Sequence, residues 1–492
     1  MSNLISNLPL SYFLGAIIAL LAFQIIRNVF LSPLRQIPGP FLAKVTPYWL
    51  IFTDLAGHRT TTLHRLHERY GSTIRIGPHE VSYSNQDIIK EIYSQQTVFL
   101  KAPVYDTMVV PPGGIFSFRK KKQHSQRRRL LSHAFSQANL LDTEPLIRDH
   151  VKNALSCINS SLGVPLDIFI TFRRLSLDIV GELFLGMKFN GLNSVEPPEF
   201  LADMDLHFIL CGIQQNFPLL YHSLSILPIP SVRYFLSARS RLIKYGENAF
   251  RAYIAQYGRD SGRRDLLTKV LIAKNDQPPL TDLEIYTEIS NLVFAGTDTT
   301  STTLTYLFWT LAKYPDWQVR LRTELATVSE SSWSDGIPAY KDVMELPLLE
   351  ATINEALRLY PAAPSSMMRE TPPGGKVLNN VFVPEKTVVS MQCYTTHRNH
   401  SAFPNPEHFL PERWLNASSD MKLNFMPFSA GSRACLGINL AWMELKVITA
   451  ALLKNYSVQL APNTTDESMS MIDHFLAAPK AGKCALIFTK IN

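Results

Sequence analysis

The sequence predicts a mainly α-helical fold with small antiparallel β-sheets (α+β), in a single domain around one long central helix, preceded by one N-terminal transmembrane helix. Three observations predict it. Most of the 492 residues carry apolar positions at helical spacing between prolines and glycines, while alternating strand-like runs are few and short. One helical stretch runs unbroken from a capping pattern at Thr281 to Pro315. The first charge in the chain is Arg27, which follows a long apolar run.

Hydrophobic content of 46%, aromatic content of 10% and charged content of 18% describe a folded globule with ample core and exclude a disordered or fibrous chain. The formal charge of +7 favours an acidic partner or an anionic membrane surface. Cys157, Cys211, Cys393, Cys435 and Cys484 are odd in number, irregularly spaced and without a C-x-x-C pair. That pattern argues against a disulfide framework and a zinc site, and fits a reducing compartment.

From Leu10 to Ile26 the run LSYFLGAIIALLAFQII has Gln24 as its only strongly polar residue. A helix of this length rises ~25 Å, and continuing toward Phe30 lets it cross a hydrocarbon core of roughly 30 Å. No basic n-region precedes it, which disfavours a cleaved signal peptide. Arg27, Arg35 and Lys44 follow the span and place the bulk of the chain on the cytoplasmic side. Residues 1–35 therefore read as anchor and hinge start, and residues 36–492 as the catalytic domain, with QIPGP (Gln36–Pro40) too proline-rich for a helix to continue.

Downstream, STIRIG and EVSYS (Ser72–Ser84) alternate like two short strands around Pro78, and VLNNVFV with TVVSMQCY (Val377–Tyr394) reads as another pair around a turn. The central helix opens with Thr281 and Glu284 as a capping box. Within it AGTDTTSTT (Ala295–Thr303) replaces large apolar residues by small and polar ones, Ala295 and Thr299 being one turn apart. Taken alone, such a stretch is more often a kink relieved by Thr hydroxyls bonding back to carbonyls.

The stretch PFSAGSRACLG (Pro427–Gly437) sets a lone cysteine between glycines 431 and 437, ahead of the helical run INLAWMELKVITAALL. Glycines let backbone amides approach a sulfur, and a helix N-terminus favours an anion, so the loop suits a thiolate ligand for a soft metal. A buried, inert thiol is the commoner fate of a free cysteine. Here Phe428, Gly431, Arg433, Cys435 and Gly437 fit F-x-x-G-x-R-x-C-x-G, which resembles the haem-binding loop of the cytochrome P450 superfamily. Glu355 and Arg358 give E-x-x-R, Pro411–Trp414 resembles P-E-R-F with Trp in the last place, and Ala295–Thr300 is similar to the family's A-G-x-D-T-T oxygen-activation motif, all in the expected order.

The resemblance implies haem b between the central helix and the cysteine loop, with Cys435 as axial iron ligand and Ala295 beside the ring. It implies a proton relay to bound O2 through Asp298 and Thr299, and a structural charge network of Glu355, Arg358 and Arg413. Propionate partners are implied at Arg369, Arg433 and the pair His124 and Arg128, where His124 stands in the place of the family's usual Trp. The run RKKKQHSQRRR (Arg119–Arg129) could pass for a nucleic-acid patch, but an anchored protein points elsewhere. Apart from His124 and Arg128 it is expected to be a solvated face, part of it docking an acidic flavoprotein, an NADPH-cytochrome reductase, which supplies the electrons.

The activity implied is insertion of one oxygen atom from O2 into a lipophilic small molecule, in the manner of the microsomal fungal branch, whose members oxidise polyketide, terpenoid or alkaloid intermediates at the endoplasmic reticulum. The pocket walls expected from the residues are Met108 to Phe118, the small face at Ala295 and the turn Ala362 to Ser366, which are largely apolar. A haem-thiolate isomerase or synthase, needing no reductase, and a non-catalytic haem sensor are the competing classes; the Asp298 and Thr299 pair argues against both.

Overall fold

The Thr281 hydroxyl accepts from the Glu284 N–H at 3.3 Å, and the Glu284 carboxylate accepts from the Thr281 N–H at 3.0 Å. This box starts the helix Asp282–Lys313, which runs unbroken for 32 residues, about 48 Å, to the stop at Pro315. The computed structural model of the chain describes residues 10–108, 112–194, 198–272 and 279–491. In it this helix is the central element. Its most extensive neighbour is the helix Ile168–Leu185, and the helices Pro347–Leu359 and Ile438–Asn455 pack on it as well.

The central helix continues without a break through its threonines. Thr297, Thr299 and Thr303 each bond back to the carbonyl one turn earlier, at 2.7, 2.8 and 2.9 Å, which satisfies the hydroxyls and leaves the ladder intact. Gly296 is explained by packing: a Cβ there would lie 2.7 Å from Cγ1 of Val180 on the neighbouring helix. Phe172 and Phe308 complete this contact with ring centroids 5.6 Å apart.

The largest sheet has five strands in the order Thr73–Gly77, Glu80–Tyr83, Val388–Ser390, Arg369–Glu370, Leu100–Lys101. It is antiparallel except for Val388–Ser390 beside Glu80–Tyr83, which run parallel with Val389 opposite Val81. The strands flanking Pro78 form as the alternation predicts. The second predicted pair is corrected. VLNNVFV is itself a complete hairpin, Lys376–Leu378 against Val381–Val383, turning at Asn379 and Asn380 with φ of 47° and 60°. Val388–Ser390 instead joins the five-stranded sheet. Two residues with φ > 0 between short apolar runs are the signature of a type I′ turn, and Asn is among the few residues that adopt it readily. A three-stranded antiparallel sheet joins Tyr456–Leu460, Ala485–Lys490 and Pro165–Asp167, in that order.

Leu10–Ile26 is helical, and Tyr12, Leu14, Ile17, Ile18, Leu20, Leu21 and Phe23 are exposed. The window Leu14–Leu31 has a mean hydropathy of 2.0 and, among the described residues, is the one helical stretch long and apolar enough to cross a membrane. Its C-terminal end is clamped to the globule. Arg75, fully buried, donates to the carbonyls of Asn28 at 3.0 Å and Pro78 at 2.8 Å.

Candidate active site

Cys435 sits two residues before Gly437, the N-cap of the helix Ile438–Asn455. Its N–H donates to the Phe428 carbonyl at 2.8 Å, which closes the loop. Gly431 has φ +63°, and a Cβ there would meet the Tyr93 carbonyl oxygen at 1.9 Å, so no other residue fits. Gly437 is under no such constraint: its φ is −87° and a Cβ would meet nothing nearer than Phe135 at 3.8 Å. Its contribution is its N–H, directed at the Cys435 sulfur. Burial pushes the Cys435 thiol above its ordinary pKa, while that N–H and the charge of Arg128 pull it back toward the thiolate. The surface that Cys435 exposes is the wall of a cavity of about 390 Å³ rather than bulk solvent.

Ala295 and Thr299 of the central helix line the same cavity, as does Phe428. A cluster of cations lines it too. Arg433 donates to the carbonyls of Phe118 at 2.6 Å and Arg119 at 2.9 Å, Arg128 to that of Ala434 at 2.6 Å, and Arg369 to that of Met368 at 3.0 Å. Lys101 is the directly opposed cross-strand partner of Arg369, a like-charge pairing that destabilises a sheet on its own. Among the described residues, no carboxylate forms an ion pair with Lys101, Arg128, Arg369 or Arg433. Burial lowers the pKa of Arg433 to about 10, followed by the charges of Arg369 and Arg128. Lys101 is pushed well down by burial, Arg369 and Arg433. His124, buried, is brought to about 3 by burial and then by Arg433, Lys101, Arg128 and Arg369, so its ring is neutral and serves as a hydrogen-bonding group.

Buried like charges without a counter-charge are costly, and a ligand carrying two carboxylates would compensate them. A sulfur on one wall, a small-residue helix face on another and an unpaired cationic rim are what a haem with its two propionates fits. The residues present are therefore consistent with haem. His124, Arg128, Arg369 and Arg433 come together as the resemblance implies, and Lys101 joins them without any signal in the sequence.

Asp298 and Thr299 are adjacent but diverge. Thr299 faces the cavity, whereas the Asp298 carboxylate lies 2.8 Å from Nε of Arg173, whose Nη2 holds Asp205 at 2.7 Å. Burial raises the pKa of Asp298, with Arg173 opposing and Asp205 adding to the rise. Asp205 is 60% exposed, so the triad runs from the central helix to the surface.

Glu444, on the helix that follows Cys435, is a buried acid on the cavity wall that sequence reasoning missed. Burial raises its pKa to about 8; the Thr300 hydroxyl is its polar neighbour, yet neither carboxylate oxygen meets hydrogen-bond geometry. A single acid inside the apolar run LAWMELKVITAALL was the available signal.

The expected charge network forms, but in the core. Glu355 and Arg358 are both fully buried, with two contacts of 2.8 Å between them. Arg413 approaches Glu355 at 3.2 Å. Arg358 also donates to the His397 carbonyl at 3.0 Å, and Nε2 of His397 accepts from the Met426 N–H at 2.9 Å, just ahead of Phe428. The network thus fixes the entry to the cysteine loop.

The basic run is partly corrected. Lys120 and Lys122 are exposed as expected, but Arg127 is buried between Glu284 and Glu288, at 2.5 Å from each. Of the expected pocket walls, Met108, Ile115, Phe116, Ala295 and Ala362 are in place, residues 109–111 lie outside the described residues, and the lining also holds the polar residues His207, Arg239 and Asn291.

The cytochrome P450 family model matches residues 39–485. The chain is 34% identical to the cytochrome P450 monooxygenase aflV of Aspergillus parasiticus, over 98% of this chain and 97% of that protein. It is 31% identical to the cytochrome P450 monooxygenase tazI of Aspergillus terreus, over 94% and 95%. Averantin hydroxylase of Dothistroma septosporum is 30% identical over 93% of this chain and 87% of that protein. The chain therefore belongs to the cytochrome P450 family and is an oxygen-incorporating oxidoreductase similar to fungal monooxygenases.

Proposed function

We propose that the protein is a membrane-anchored haem-thiolate monooxygenase that inserts one oxygen atom from O2 into a lipophilic secondary-metabolite intermediate, with electrons delivered from NADPH by a flavoprotein reductase. The observation that carries this reading is the Cys435 sulfur opening onto the same cavity as a cationic cluster that, among the described residues, has no carboxylate partner.

Cys435 would hold the iron, with Phe428 and Gly431 shaping the loop; His124, Arg128, Arg369, Arg433 and Lys101 would hold the propionates. Bound there, haem with a sulfur ligand supplies the activation of dioxygen and its transfer to carbon. Thr299 offers its hydroxyl to the cavity, and Asp298 carries protons toward it from the Asp205 side by exchanging its contact with Arg173 for one with Thr299 or water. Apolar lining excludes bulk water and favours an apolar substrate.

Support for the anchor is the exposed apolar helix with Arg27, Arg35 and Lys44 after it, which favours a single pass in the endoplasmic reticulum membrane with residues 36–492 on the cytoplasmic side. Exposed Lys120 and Lys122 suit an acidic reductase. That a relative is named averantin hydroxylase favours hydroxylation as the reaction.

The test is a screen of metabolite extracts for compounds that shift the spin state of the purified protein, followed by turnover of the hits. Product formation that requires NADPH and reductase is expected. Turnover without either, or no ligand-dependent spin shift, would contradict the reading.

A further inference from the structure

One cation on the cavity wall has no role in holding haem. Arg239, near the start of the helix Ala238–Tyr257, lines the cavity and donates through Nη1 to Gln214 Oε1 at 3.1 Å. Its Nε is buried without a partner; among the described residues no carboxylate pairs with it, and the Cys211 thiol and the Tyr221 phenol are the ionisable groups that favour its charge. Arg173 and Arg127, two buried guanidiniums packed on the central helix, each hold two carboxylates. A partly buried guanidinium without a counter-charge has lost hydration that nothing in the protein restores.

Its neighbours share the same deficit. Nε2 of His207 lies 3.1 Å from the Met108 carbonyl and so carries the ring hydrogen, leaving Nδ1 as a buried acceptor without a partner. Burial and the charge of Arg239 bring His207 to about 4, so its ring does not compete as a second cation. Asn291 Nδ2, on the central helix, is a buried donor also without a partner. Around these polar atoms the wall is aromatic. The Phe208 ring lies 5.0 Å from that of Phe294 and 4.8 Å from that of Phe475, and Phe475 lies 5.8 Å from Phe116. Faces and edges at these spacings suit a flat aromatic guest.

We propose that Arg239 binds an acidic oxygen, a carboxylate or an ionised phenol, on an aromatic substrate whose ring system lies against Phe208, Phe294 and Phe475. The substrate class is then an aromatic acid rather than a neutral hydrocarbon. This rests on the cavity being the substrate site of the proposed monooxygenase.

Equilibrium dialysis of the full-length, haem-loaded protein tests it with three probes: 2-naphthoic acid, 4-nitro-1-naphthol and the neutral control methyl 2-naphthoate. The two anions are expected to bind about tenfold or more tightly than the ester, the scale of one hydrogen-bonded charge. Arg239→Gln should bring them to the level of the ester without changing ester affinity, and Arg239→Lys should retain part of the preference. Loss confined to one anion in Arg239→Gln identifies that oxygen, carboxylate or phenol, as the one bound. No preference in the wild type, an unchanged preference in Arg239→Gln, or a lowered thermal midpoint with equal loss of ester binding would overturn the proposal, the last by marking Arg239 as a structural tie to Gln214. The carbon monoxide spectrum of the same preparations reports on the Cys435 reading separately: its failure would leave the dialysis result for Arg239 standing, and the converse also holds.

Discussion

Trp414 donates its Nε1–H to the Glu355 carboxylate at 2.8 Å, in the position where the P-E-R-F pattern would place a phenylalanine with nothing to donate. Glu355 is fully buried and also receives Arg358, Arg413 and the Leu410 N–H at 2.9 Å, so its charge is matched on every side. Trp414→Phe keeps the ring and removes one charge-assisted hydrogen bond. A loss of about 1.5 kcal/mol in denaturant unfolding is expected, with the haem spectrum unchanged; a stability equal to the wild type would show that the bond contributes nothing.

The two glycines of the cysteine loop should separate. Gly431→Ala places a Cβ against the Tyr93 carbonyl at a positive φ, and should abolish stoichiometric haem incorporation. Gly437→Ala, at φ −87° with open space around it, should retain haem. Haem content per polypeptide measures both, and equal occupancy in the two variants would contradict the loop geometry.

Asp298 is tied to Arg173, but Arg173 keeps Asp205 when Asp298 is neutralised. Asp298→Asn should therefore fold normally and bind ligand as the wild type does, while turnover falls about 10²-fold, the usual scale for a lost general acid or base. Its solvent isotope effect on kcat should rise. Unchanged turnover would remove Asp298 from the proton path.

Glu444 is harder to ionise in the folded chain, with a pKa raised to about 8, than in the unfolded one, where the ordinary value is 4.5. Such a carboxyl costs stability progressively as pH rises from the ordinary carboxyl range toward 8, because the folded state holds the proton longer. Glu444→Gln removes that cost. The thermal midpoint of the variant relative to the wild type should rise between pH 5 and pH 8; a difference independent of pH would mean Glu444 is not protonated in the fold.

Local patterns carried much of this structure. The capping box at Thr281 marked the start of the central helix and Pro315 its end to within two residues, and the spacing of Phe428, Gly431, Arg433 and Cys435 located the loop, because each depends on neighbours within a turn or two. Asn379–Asn380 was equally local, and its turn signature was present but read as part of a longer strand. Other features depend on packing between distant segments. Nothing near Lys101 announces that it will face Arg369, nor does anything near Asp298 announce Arg173, 125 positions away. Nothing near Arg239 announces that it will line the same cavity as Cys435. Gly431 and Gly437 look alike in sequence; only the carbonyl of Tyr93 distinguishes them.

The most direct test of the central claim is the absorption spectrum of the purified chain, reduced and exposed to carbon monoxide, alongside Cys435→Ser. The wild type should show the strongly red-shifted Soret band of sulfur-ligated ferrous iron and the variant should lose it. A wild-type spectrum without that band, or a variant that keeps it, would contradict Cys435 as the ligand.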